Sequence, residues 1–113
     1  MFAQTLSQPR TPAEGAQALA NVLRDELARY TPNHPQVKES ETLIRILETQ
    51  SKLLQQPAYE RDKVAVTAQT VALSEQIESL RRGIKVYKAS SPNVARSGAL
   101  ANALDAQLKI LQQ

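Results

Sequence analysis

The sequence predicts an all-α chain made of two tandem αα-hairpins. Three observations carry that expectation. Apolar residues recur at helical spacing along most of the chain. Only three Gly are present and aromatics are 4%, which suits helices packed through Leu, Ile, Val and Ala rather than a turn-rich sheet. The third is an internal repeat: Leu23 to Gln56 aligns without a gap on Leu80 to Gln113, an offset of 57 residues, with 13 of 34 pairs identical. Tyr30/Tyr87, Pro35/Pro92, Val37/Val94, Ser40/Ser97, Leu43/Leu100, Leu47/Leu104 and Gln50/Gln107 are among the identities. A duplicated helix–Tyr-x4-Pro-x-Val–helix unit accounts for them. The expected architecture is a four-helix or coiled-coil-like bundle in one domain, 1–113. Residues 1–10 read as a flexible polar arm, 12–56 as the first hairpin and 58–113 as the second.

The first helix is expected over Pro12 to Tyr30. Thr11 can cap it, Pro12 fits its first turn, and Glu14 stands where a capping box needs it. Ala16, Leu19, Ala20, Leu23, Leu27 and Tyr30 then recur at helical spacing. Pro32 and Pro35 bias Thr31 and His34 away from helical backbone, which predicts a short, stiff bend at residues 31–35. Helix two follows from Pro35 to about Gln56, with a stripe of Val37, Ile44, Leu47 and Leu54 interleaved with Ser40 and Ser51. Leu43, Ile46 and Leu53 widen that stripe. A short link between helices favours antiparallel neighbours.

Pro57 ends or kinks the second helix. From Tyr59 through Val66, Leu73, Ile77, Leu80, Ile84 and Tyr87 the spacing is close to 3.5 residues, a coiled-coil-like seam with Lys63 and Thr70 in polar slots. The third helix is therefore expected over Ala58 to Lys88. Val64-Ala-Val-Thr and Ile84-Lys-Val-Tyr have strand-like composition, but the repeat assigns them to helix. A second bend is expected at residues 89–92. Ser90-Ser-Pro92 then caps a fourth helix with Val94, Ser97, Ala101, Leu104, Leu108 and Leu111 in its seam, and Gly98 is a candidate break in its first turn. The repeats end at equivalent places, Gln56 and Gln113, as a two-unit module would.

Composition excludes several functions. There is no Cys, hence no disulfide and no thiolate metal site. His34 is the sole His, and no nucleophile motif accompanies it. Glu39 and Glu41 point in different directions on a helix, and Glu75 and Glu78 share a face with nothing around them to build a metal or acid–base site. No phosphate-binding Gly loop occurs. The expectation is a non-enzymatic protein with no catalytic residue, cofactor or metal. No stretch approaches the ~20 apolar residues of a membrane span, and Met1 to Pro9 lacks the features of a signal peptide.

The net charge of +3 lies entirely in the second half. Arg81, Lys85 and Lys88 share one face near the end of the third helix, flanked by Arg82 and approached by Arg96. Such a cluster is a candidate contact for nucleic acid or another anionic surface. The alternative is a solvated set of cations that complements the helix dipole. No aromatic residue interleaves the cluster, which disfavours stacking on single strands.

Leu27-Ala-Arg-Tyr-Thr-Pro-Asn-His-Pro-Gln-Val37, followed by a Leu/Ile-rich helix, resembles a segment of bacterial polysaccharide chain-length determinants. The resemblance covers about residues 19–56, and its specific part is Tyr30 to Val37. Gln36 stands where that family usually carries an acidic residue. The resemblance implies a periplasmic coiled-coil portion of a membrane-anchored co-polymerase and supplies no catalytic residue.

The leading expectation is a helical assembly or adaptor protein that buries helix seams against copies of itself or another protein, including as a structural subunit of a larger particle. Its candidate seam is Leu43, Ile46, Leu53, Leu73, Ile77, Leu80 and Ile84. The alternatives are the co-polymerase segment and a small nucleic-acid-binding protein. The expected location is cytoplasmic, periplasmic if the residues belong to a larger membrane protein, or within a virion or other particle. Membrane insertion is not expected of these residues.

Overall fold

The structure, a computed structural model, describes residues 11–30, 33, 35–86 and 92–112, and only the backbone of Pro35, Gln36, Pro92 and Asn93. These residues form four α-helices and one short 3-10 turn, with no strand among them. Packing divides the chain into two compact units, with the boundary between Arg61 and Asp62. Each unit is an αα-hairpin. The expected arm at 1–10, His34, Tyr87, Lys88 and most of the two expected bends lie outside the described residues.

In the first unit, α1 runs Pro12–Leu27. Thr11 is extended, and its Oγ1 accepts the Glu14 amide at 3.2 Å, the N-cap expected of a Thr ahead of Pro. The helix buries Ala13, Ala16, Ala20 and Leu23. It ends three residues short of Tyr30. The Arg29 and Tyr30 amides instead donate to the carbonyls of Glu26 and Leu27, each at 3.1 Å, so the chain leaves through a tightened turn. Pro32 just ahead, which opposes helical backbone at Thr31, gives the physical reason.

The second helix, α2, runs Pro35–Gln55 and packs on α1. Its buried face is wide: Val37, Ser40, Leu43, Ile44, Leu47, Gln50, Ser51 and Leu53. Three small Ala on α1 face this hairpin's core where α2 supplies bulk, so size alternates across the layer.

Beyond α2 the structure departs from the sequence reading. Ala58–Glu60 is a 3-10 turn rather than the start of a long helix, and Tyr59 is 86% exposed instead of lying in a seam. Arg61 enforces the break. Its Nε donates to the carbonyls of Leu53 at 2.9 Å and Gln56 at 3.0 Å, which closes the end of α2. Asp62 then opens the next helix. Its Oδ1 accepts the Val64 amide at 3.1 Å, and its carbonyl accepts the Val66 amide at 2.9 Å. Lys63, placed in a polar seam slot by the sequence, is exposed.

In the second unit, α3 runs Lys63–Val86 and packs on α4, Pro92–Gln112. The strand-like Val64-Ala-Val-Thr is helical, with Thr67 and Thr70 hydroxyls donating to the carbonyls of Lys63 and Val66. The buried face of α3 is Gln69, Leu73 and Ile77, with Val66, Thr70, Leu80 and Ile84 half-buried around it. On α4, Ser97, Leu100, Ala101, Leu104, Gln107 and Leu111 are buried. Gly98 does not break α4, which is continuous through it.

The repeat is visible in the helices. α2 and α4 are each 21 residues long, and both their ends differ by the 57-residue offset. Ser40/Ser97, Leu43/Leu100, Ile44/Ala101, Leu47/Leu104 and Gln50/Gln107 are buried in both members of each pair. Where the repeats differ, volume is exchanged between the helices. Ala16 and Ala20 of α1 become Leu73 and Ile77 in α3, while Ile44 of α2 becomes Ala101 in α4. The bulk added on α3 is thus offset in part by Ala101 on α4.

Candidate interaction surface

The sequence-predicted seam is largely consumed within the chain. Leu43, Leu53, Leu73 and Ile77 are buried, while Ile46, Leu80 and Ile84 are half-buried. Exposed large apolar residues lie elsewhere: Val22 on α1, at 59%, Tyr59 in the 3-10 turn, and three valines on the outer side of α3. Val64 is 75% exposed, Val71 51% and Val86 83%. At 3.6 residues per turn, Val64, Ala68 and Val71 share one row, and that row is opposite Leu73 and Ile77. Glu75, Arg82 and Val86 continue it. The spacing of Val64 and Val71 was in the sequence, but Val64 read there as strand-like composition and Val71 was not singled out, which hid the outward face.

The charges along this side of α3 are sorted. Glu75 and Glu78 come first, then Arg81, Arg82 and Lys85, all exposed. Among the described residues none of these five forms an ion pair. Three of the predicted cations, Arg81, Arg82 and Lys85, do gather. They line one open groove of about 570 Å³ between α3 and α4. Ser74, Ile77 and Glu78 of α3 and Asp105 and Leu108 of α4 complete it. Arg96 is half-buried and is not part of this lining, and Lys88 lies outside the described residues.

The groove carries both signs of charge over an apolar floor of Ile77 and Leu108. Asp105 is engaged by Lys109 of its own helix at 3.3 Å. Two carboxylates beside three cations weaken the field that a polyanion would need. Among the described residues no helix is long and apolar enough to cross a membrane. No protein-family model, curated protein or solved structure matches the chain. The resemblance to chain-length determinants accordingly rests on the residues from Tyr30 to Val37 themselves.

Proposed function

We propose that the chain is a non-enzymatic helical assembly or adaptor module that docks through the outer face of α3, against another copy or another helical protein. The observation that carries this reading is the Val64–Ala68–Val71 row, exposed on the side of α3 opposite its buried Leu73–Ile77 row. A helix with apolar rows on both sides has one committed to its hairpin and one left for a partner. The charges that follow the row supply register and selectivity rather than bulk affinity.

The test compares the wild type with Val64→Glu and Val71→Glu by light scattering and by co-purification from native extract. Both positions are exposed, so the hairpin should stay folded by circular dichroism. Loss of the larger complexes in both variants supports the reading. Complexes that survive both substitutions unchanged overturn it.

A second reading, contact with nucleic acid or another anionic surface, draws on Arg81, Arg82 and Lys85 sharing one groove. It requires retention on DNA or RNA that falls steeply with salt and weakens in Arg81→Ala. The co-polymerase reading draws on Tyr30 to Val37, and genes for polysaccharide export beside this one would favour it.

A further inference from the structure

We infer that the groove between α3 and α4 is a binding site for a small phosphate monoester, whose dianionic head is held by Arg81, Arg82 and Lys85. This deepens the second reading above, since one compact head takes the place of an extended polyanion. The first hairpin carries the same positions 57 residues earlier, and three of them differ in the direction an anion requires. Arg82 stands where the first hairpin has Asp25, so a charge is reversed. Lys85 stands where it has Ala28, so a cation is gained. Asp105 stands where it has Glu48. Arg24 pairs with Glu48 across its hairpin, whereas Arg81 has no ion-pair partner among the described residues, and Asp105 is held by Lys109 at 3.3 Å. One cation beside two carboxylates in the first hairpin thus becomes three beside two in the second. Of the three, only Lys85 lies in the last turn of α3, so the helix dipole, whose effect fades within a turn, does not account for the two arginines.

Size and charge define the ligand. The groove, about 570 Å³, has the volume of a small-molecule site. Arg81 and Lys85 are one helical turn apart, with Cβ atoms about 5–6 Å from each other, a gap that one tetrahedral head can bridge. Guanidinium groups suit bidentate contact with phosphate, and the ammonium of Lys85 adds a point charge. A phosphate monoester carries close to two negative charges at neutral pH. Glu78, one turn earlier on α3, and Asp105, on α4, limit the basic patch to a single head, because a chain of phosphates would run onto carboxylates. Ile77 and Leu108 offer the remainder of the ligand a small apolar floor.

Phenyl phosphate is the probe, with phenyl sulfate and benzoate as monoanions on the same ring. At low salt and about pH 7.5, where the monoester is a dianion, phenyl phosphate should bind the full chain with a Kd of about 1 mM or tighter, as a few partly exposed charge-assisted contacts allow. The amide shifts it causes in NMR spectra should centre on residues 74–85 and 105–108 and leave the equivalent positions of the first hairpin, 17–28 and 48–51, in place. Both monoanions should bind at least about tenfold more weakly, the worth of one unit charge beside cations near a surface. Arg82→Asp, which installs the first hairpin's residue, should weaken phenyl phosphate at least about tenfold, as loss of a hydrogen bond to a charged group does. Asp105→Glu, which offers Arg81 the partner that Arg24 has, should weaken it about two- to fivefold, the worth of a surface ion pair. Arg82 is exposed and Asp105→Glu keeps its charge, so circular dichroism should find both variants folded. A probe that shifts no amide, shifts both hairpins alike, binds no tighter than the monoanions or ignores Arg82→Asp overturns the inference. A DNA or RNA oligonucleotide tested alongside separates the two readings. Retention that weakens in Arg81→Ala while phenyl phosphate stays unbound keeps the second reading and removes this one. Phenyl phosphate bound with the oligonucleotide unretained upholds the single head and removes the polyanion.

Discussion

Arg24 on α1 forms an ion pair with Glu48 on α2, and the equivalent residues of the second hairpin, Arg81 and Asp105, line one groove without pairing. The acidic side chain is one methylene shorter there, and Asp105 takes Lys109 instead, at 3.3 Å. Arg24 also holds Asn21 Oδ1 at 3.3 Å. The first pair is partly exposed, so solvent screens it. A double-mutant cycle on Arg24 and Glu48 should give about 0.2–1 kcal/mol of coupling, the range of surface pairs. The same cycle on Arg81 and Asp105 should give a value near zero, and Asp105→Glu should raise it. Urea denaturation of the variants measures both.

Leu47 and Leu104 occupy equivalent, fully buried positions. Leu→Ala at either should destabilise its hairpin by about 2–5 kcal/mol, through lost transfer energy and a residual cavity. Leu73→Ala belongs in the same range. Leu80→Ala should cost distinctly less, because Leu80 is half-buried. Urea midpoints would rank the four, and an equal loss at Leu80 and Leu73 would contradict the burial described.

Ser40 is buried, and its Oγ has no hydrogen-bond partner among the described residues. Removing an unsatisfied buried hydroxyl relieves a desolvation cost of about 1–3 kcal/mol, offset in part by the lost volume. Ser40→Ala should therefore be neutral or stabilising. A clear drop in thermal midpoint would show that the hydroxyl has a partner.

Gly98 sits inside α4 with negative φ, and a Cβ added there meets nothing within 4 Å. The sole remaining effect of a methyl is the smaller backbone entropy of the unfolded chain. Gly98→Ala should stabilise by about 0.5–1 kcal/mol, the helix-interior difference between the two residues. Thermal unfolding followed at 222 nm would register the gain.

These sites show where the sequence was legible. The face of α2 could be read because Pro35 marks its start and Val37, Ser40, Ile44, Leu47 and Ser51 keep an unbroken period; all five are buried. Tyr59 misled because it stands seven residues before Val66, so the period ran on through a segment that is not helical. Pro57 announced the end of α2; what no local pattern announced is the Arg61 side chain closing the carbonyls of Gln56 and Leu53, five and eight residues back. Asp62 is a standard cap residue, but the sequence reading ran the helix through it from Ala58. The buried Gln50 and Gln107 recur as an identical pair within the repeat, but the sequence analysis gave them no place in a seam. The outer row of α3 needed the buried row first: only when Leu73 and Ile77 are placed inside does Val71 become outward.

Arg61 and Asp62 stand side by side and do opposite things, one closing α2 and the other opening α3. Each hairpin thus carries its own boundary signals, and the packing within it joins residues close along the chain. Speed of folding follows from that locality, because little loop-closure entropy opposes the first contacts. Refolding should fall in the microsecond-to-millisecond range of low-contact-order helical proteins. Asp62→Ala should alter the kinetics of the second hairpin while leaving those of the first as they were.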